Sequence, residues 1–208
     1  MLKMWGRNNS SNVQKAMWAV GELGLDCKRI DVGGQFGKTK EPPYSDMNPN
    51  ALVPTLEEDD GFTLWESNAI IRYLARKHGA GTLEPHDPKA RALANQWMDW
   101  QHTVLGPAIF PVFWGLVRTP PEKRDPNAIA AGKVKTNEAM RILDWGLGKH
   151  AFVAGETFSM GDIPVGVMTF RYMRLVPDRP PLENVTRWYG EIEKRPAFQE
   201  HVSGIPLT

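Results

Sequence analysis

The sequence predicts an α/β domain followed by an all-α domain, and three observations predict it. Over the first eighty residues short apolar runs alternate with apolar residues at helical spacing. From Pro88 onward only helical spacing occurs, with no convincing strand. Between them lies "AGTLEPHDP", rich in Gly, Pro and acidic residues, which reads as a linker. The expected bounds are 1–79 for the first domain, 80–87 for the linker and 88–208 for the second, and 208 residues suffice for two small domains.

Leu2 to Trp5 reads as a first strand, and Val13, Ala16, Met17, Val20 and Leu23 follow at helical spacing before Gly24. Cys27 to Val32 is a second strand. After a long loop, "PTLEE" and "FTLWE" flank "DDG", a hairpin signal. A helix from Ser67 to His78 buries Ile70, Ile71 and Leu74 and stops at Gly79. In the second domain Pro88 to Leu116 reads as a long helix or a kinked pair, since Pro107 and Pro111 interrupt it. Ala128 to Leu147, Ser159 to Leu175 and Glu183 to Lys194 are further helices, with a short one after Pro196. "FSMGDI" reads as a capping box: the Ser159 hydroxyl accepts from the Asp162 amide, the carboxylate reaches back, and Phe158 staples onto Ile163. Loss of that cap should cost about 1 kcal/mol, a structural role that leaves Asp162 no catalytic one.

Twenty-five Lys and Arg against 24 Asp and Glu leave a net charge of +1, which gives no electrostatic case for nucleic acid or an anionic membrane. No stretch approaches the roughly 18 apolar residues of a membrane span, and the first residues hold no signal-like apolar run, so a soluble, cytoplasmic protein is expected. The single cysteine, Cys27, suits a reducing compartment. It opens a strand with no helix N-terminus behind it, so a core thiol is expected rather than a nucleophile. "GGQFGKT" (33–39) imitates a phosphate loop, but its glycine spacing is wrong and Glu41-Pro42-Pro43 follows it. The five histidines form no ligand pairs at helical spacing, so no metal is expected. Trp97, Trp100, Phe110, Phe113 and Trp114 read first as core packing.

"NPNALVPTLEEDDGFTLWESNAIIRYLARKHG", residues 48–79, resembles the glutathione-binding half of a cytosolic glutathione transferase, and the resemblance extends over the whole chain. The Asn48-Pro49 loop, Val53-Pro54 before a strand, the acidic turn, the Glu66-Ser67 pair and "AIIRYL" occur in family order, and "FSMGDI" resembles the capping box of the family's helical domain. The resemblance implies a thioredoxin-like first domain, βαβ-α-ββα, and a helical second domain that contributes a hydrophobic substrate site. It implies a cis Val53-Pro54 bond, with Val53 pairing to the cysteinyl backbone of glutathione like an added strand. Ser67, at a helix N-terminus, suits the γ-glutamyl carboxylate, and Glu66 the ammonium group. Lys38 or Lys40 would meet the glycine carboxylate.

A thiol with a pKa near 8.5 needs about 2.7 kcal/mol of differential stabilisation to drop by roughly 2 units. A hydrogen bond to a charged group supplies about 1.5–3 kcal/mol and a helix N-terminus about 0.3–1, so one hydroxyl plus a dipole suffices. The family places Tyr, Ser or Cys near the end of the first strand. Here Trp5 holds that place, the first tyrosine is Tyr44, and no cysteine precedes position 27, which leaves a serine type, similar to the theta and zeta classes of bacterial-type members. Within "GRNNSSNVQK" (6–15), measuring back four or five residues from Lys15 gives Ser11 and Ser10; Ser11 is preferred, with Asn12 expected to open the helix. Asn9 or Asn12, donating an amide hydrogen bond, are alternatives, and every one of them also fits an ordinary N-cap.

The implied function is conjugation of glutathione to a small hydrophobic electrophile in a cleft between the domains. That substrate would lie against Trp97, Trp100, Phe113, Trp114 and Arg118 or Arg174. A homodimer is the family's usual assembly. Reduction of a disulfide or peroxide, or glutathione binding without turnover, are the alternatives.

Overall fold

A computed structural model describes residues 1–208. The chain divides into two units, Met1–Glu84 with Pro196–Ile205, and Pro85–Arg195 with Pro206–Thr208.

In the first unit, β1 (Leu2–Trp5), β2 (Cys27–Ile30), β3 (Thr55–Glu57) and β4 (Thr63–Trp65) form a sheet in the order β2-β1-β3-β4. β1 and β2 are parallel, in register Leu2 with Cys27, and α1 (Ser11–Glu22) supplies the crossover that parallel pairing requires. β1–β3 and β3–β4 are antiparallel. The β3–β4 turn closes where Gly61, at φ 88°, donates its amide to the Glu58 carbonyl. Met4 and Leu56 of the sheet, Val13, Ala16, Met17 and Val20 of α1, and Ile70 and Leu74 of α3 (Ser67–His78) make one buried cluster. Burial of each of its Val, Leu, Ile and Met side chains contributes about 1.5–3 kcal/mol relative to exposure. The helix implied between β2 and β3 is α2 (Tyr44–Met47), one turn long. β2 stops at Ile30, two residues before the expected Val32, and beyond it the Val32 carbonyl accepts from the Arg7 amide outside the ladder.

The second unit holds α4 (Pro88–Trp100), α5 (Gly106–Phe113), α6 (Pro126–Leu147), α7 (Asp162–Leu175) and α8 (Glu183–Glu193). Asp87 caps α4 by accepting from Ala90 N, and Asp125 caps α6 through Asn127 N and Ala128 N. The expected interruption at Pro107 and Pro111 takes the form of π-helical turns: Gln101–Leu105 and Trp114–Arg118 bracket α5, the segment whose prolines lack amide donors.

The capping arrangement before α7 differs from the expected box. Ser159 Oγ accepts from Gly161 N (3.3 Å) and lies 3.2 Å from Asp162 Oδ2, while Asp162 N donates to the Ser159 backbone carbonyl. The Asp162 carboxylate also receives Ser159 N, Val153 N and Trp188 Nε1. Four donors on one buried carboxylate tie together the loop before α7, α7 itself and α8. Phe158 packs edge-on against Phe152.

The units depart from the expected domains at two places. Residues 80–84 stay with the first unit, where Ala80 bridges Glu84 and Arg76 Nη1 lies 2.7 Å from Glu84 Oε2. Residues 196–205, expected within the helical domain, also belong to it. The reason is steric and apolar. Trp18 on α1 is fully buried under Phe198 of α9 (Pro196–Phe198), with ring centroids 4.9 Å apart. Gly21, one turn on, lets Ala197 and His201 approach; a Cβ there would lie 2.8 Å from Ala197 Cβ.

Candidate active site

The loop between α2 and β3 is braced by buried polar side chains. Tyr44 donates its hydroxyl to the Leu52 carbonyl and receives Thr55 Oγ1 (3.0 Å). Asn48 Nδ2 reaches Leu52 O (2.9 Å) and Thr55 Oγ1 (3.2 Å), while its Oδ1 accepts from Asn50 N (3.0 Å). Burial pushes the Tyr44 phenol up, against smaller opposing effects of its bonds to Thr55 and Asn48, so it stays a donor. This bracing holds the bend that ends in a cis Val53–Pro54 bond, as the family resemblance implies.

Across from Val53 and Pro54 stands the N-terminus of α3. Ser67 is its first residue and is buried, with amides directed outward as at any helix start. Arg76, Lys77 and His78 occupy its last turn, where cations complement the helix dipole. Glu66 precedes it at φ 69° and ψ 110°, exposed and without an ion pair inside the protein. Val53, Pro54, Glu66 and Ser67 line one groove, and Asn12 of α1 joins them.

The helix opens one residue earlier than expected. Ser10 is the N-cap, in an extended conformation with its carbonyl accepting from Gln14 N at 2.8 Å, so Ser11, not Asn12, is the first helical residue. Ser10 is buried and its side chain makes no cap bond; Ser11 is half-buried and Asn12 exposed. Neither serine lines the groove, whereas Asn12 does. Asn9 is half-buried in the turn ahead of them. Lys38 and Lys40 are exposed on the loop after β2 and lie outside the groove. The phosphate-loop lookalike serves packing instead: a Cβ at Gly34 would meet the Arg7 side chain at 2.8 Å, so Arg7 lies across this turn.

In the second unit the candidate substrate residues separate by exposure. Trp97 and Phe113 are each 7% exposed: Trp97 packs on Gly146 and edge-on to Trp100, and Phe113 lies beneath the guanidinium groups of Arg118 and Arg171. Arg174 covers Phe170. Trp114 is 53% exposed and stacks on Phe110, 56% exposed, at 5.5 Å. These two together present an open aromatic surface. Cys27 is held with its thiol pushed up to about 11 by burial, which makes it a poor nucleophile.

Sequence reasoning used Asn48 and Lys15 only as markers of order and spacing, and missed the bracing by Tyr44, Asn48 and Thr55 and the burial of Lys15. A buried tyrosine or threonine leaves no periodic signal, and a lysine on an amphipathic helix reads as its solvent face.

A four-stranded sheet with a cis-proline loop facing a helix N-terminus, joined to an all-helical unit, defines a thioredoxin-like protein with an appended helical domain. The family model described as the N-terminal domain of glutathione S-transferase matches residues 9–77. The glutathione S-transferase GstB of Escherichia coli K12 is 39% identical over 100% of both chains. Arabidopsis thaliana glutathione S-transferase F14 is 32% identical over 96% of this chain and 80% of its own length. Among solved structures, the theta-class glutathione S-transferase of Xanthomonas axonopodis pv. citri with glutathione bound superposes with a TM-score of 0.95, at 40% identity over 100% of this chain and 99% of that one. The chain belongs to the glutathione S-transferase family.

Proposed function

We propose that the protein binds glutathione in the groove lined by Val53, Pro54, Glu66 and Ser67, activates its thiol as the thiolate, and conjugates it to small apolar electrophiles. The observation that carries this reading is the groove itself. It joins a backbone edge at Val53 suited to an extended peptide, a helix N-terminus suited to a carboxylate, and the unpaired Glu66 carboxylate suited to an ammonium group.

Ser11 is the activating residue. Its half-buried position at the first turn of α1 supports this, because a hydroxyl there shares the positive end of the helix dipole with a bound thiolate. Ser10 is more buried and Asn12 donates an amide rather than a hydroxyl. The electrophile is recognised by the exposed Phe110–Trp114 pair, with Arg118 beside it in sequence. No helix is long and apolar enough to cross a membrane, and a cytoplasmic homodimer completes the reading.

Retention on immobilised glutathione, followed by initial rates with an aryl halide and with a hydroperoxide, tests the function. Conjugation of the halide is expected; failure to bind glutathione or to turn over either electrophile would overturn it. Ser11→Ala should abolish the thiolate absorbance of bound glutathione while Ser10→Ala retains it, and the reverse pattern moves the role to Ser10.

A further inference from the structure

Lys15 lies one turn into α1 and is only 2% exposed. A buried ammonium requires acceptors, since its desolvation is otherwise costly. One acceptor is Asn12 Oδ1, 3.1 Å from Nζ. The same oxygen lies 3.5 Å from Ser67 Oγ, at the long limit of a hydrogen bond.

The chemistry of the pair fixes the orientation of the amide. An ammonium carries donors only, so the Asn12 atom facing it is the carbonyl oxygen, and the NH2 lies at the other end of the group. That NH2 makes no hydrogen bond within the protein. Asn12 lines the groove beside Ser67, so its two donors are available to whatever occupies that end.

We propose that Lys15 is a positioning residue: by holding the Asn12 carbonyl, it presents the Asn12 NH2 to the γ-glutamyl end of bound glutathione, beside Ser67. The proposal rests on the groove being the glutathione site. Lys15 touches no substrate. It acts through Asn12, and this separates it from a charge that would reach the thiol directly.

Calorimetric titration of glutathione and of S-methylglutathione, which lacks the free thiol, into wild type, Lys15→Met, Asn12→Ala and the double variant tests it. Thermal midpoints are recorded alongside. Each single variant should weaken both ligands by about tenfold, the loss of roughly one good hydrogen bond. The double variant should be no more than about twofold weaker than either single one, because the two residues act in series. Asn12→Asp keeps an oxygen for Lys15 but replaces the NH2 with an acceptor. It should bind both ligands least well, and it keeps the test decisive if Lys15→Met does not fold. Additive losses in the double variant, wild-type affinity in Asn12→Asp, or a loss confined to glutathione would each overturn the proposal. Wild-type protein that binds neither ligand would instead overturn the assignment of the groove itself.

Discussion

Glu66 holds a backbone conformation, φ 69° and ψ 110°, that a side chain rarely adopts, at a cost on the order of 1–3 kcal/mol. Glycine would relieve that strain and lose about 0.5–1 kcal/mol through the freedom of the unfolded chain. The strain is the larger quantity, so Glu66→Gly should raise the urea midpoint while weakening glutathione, whereas Glu66→Ala weakens glutathione with no gain in stability. Asp162 shows the opposite balance. Burial pushes its carboxyl up to about 6 despite four opposing donors. An acid whose folded pKa lies above its unfolded value of about 3.9 is favoured in its protonated form. Its contribution to stability is therefore full below about pH 4 and is lost as pH rises through about 6. Asp162→Asn should remove that slope between pH 4 and 6 in denaturant titrations. It should also lower stability at neutral pH by about 1–3 kcal/mol, since one end of the amide faces donors. At this scale the start of α3 at Ser67 was legible, because a helix start leaves a mark in the sequence. The burial of Lys15 was not, because the apolar spacing of α1 does not say what packs around a polar side chain one turn in.

At the scale of elements, α1 carries the fold of the first unit on one side and its cover on the other. Val13, Ala16, Met17 and Val20 face the sheet cluster, and Trp18 and Gly21 face the returning segment of residues 196–205. Gly21→Ala sets two effects against each other. Helix propensity favours alanine by about 1 kcal/mol, while a Cβ 2.8 Å from Ala197 Cβ overpacks the contact at about 1–3 kcal/mol. A net loss of stability is expected by thermal melting. Phe198→Ala should cost about 3–5 kcal/mol, because it leaves the fully buried Trp18 indole without its cover. The short helix after Pro196 was readable from spacing and proline. Its docking surface was not, since periodicity states which face is apolar and not which partner meets it. The helical irregularity around Pro107 and Pro111 was readable because missing amides act locally.

For the molecule as a whole, the two-part organisation was legible from the change of hydrophobic grammar near Pro88, but the division of the chain was not. A spatial unit assembled from both ends of the sequence has no signature along the chain. Cys27, the only cysteine, makes this testable, because it sits against the first unit's core with its thiol raised to about 11. At neutral pH it should react with a thiol reagent about a hundredfold more slowly than an ordinary cysteine. Its labelling rate then reports opening of the first unit, and Phe198→Ala should accelerate it. The returning segment also constrains synthesis. A chain emerging from the ribosome can pair its four strands early, but the indole of Trp18 stays uncovered until residues 196–205 have been translated. The first unit begun is therefore the last one finished, and nascent chains stalled within the helical unit should remain protease-sensitive along α1.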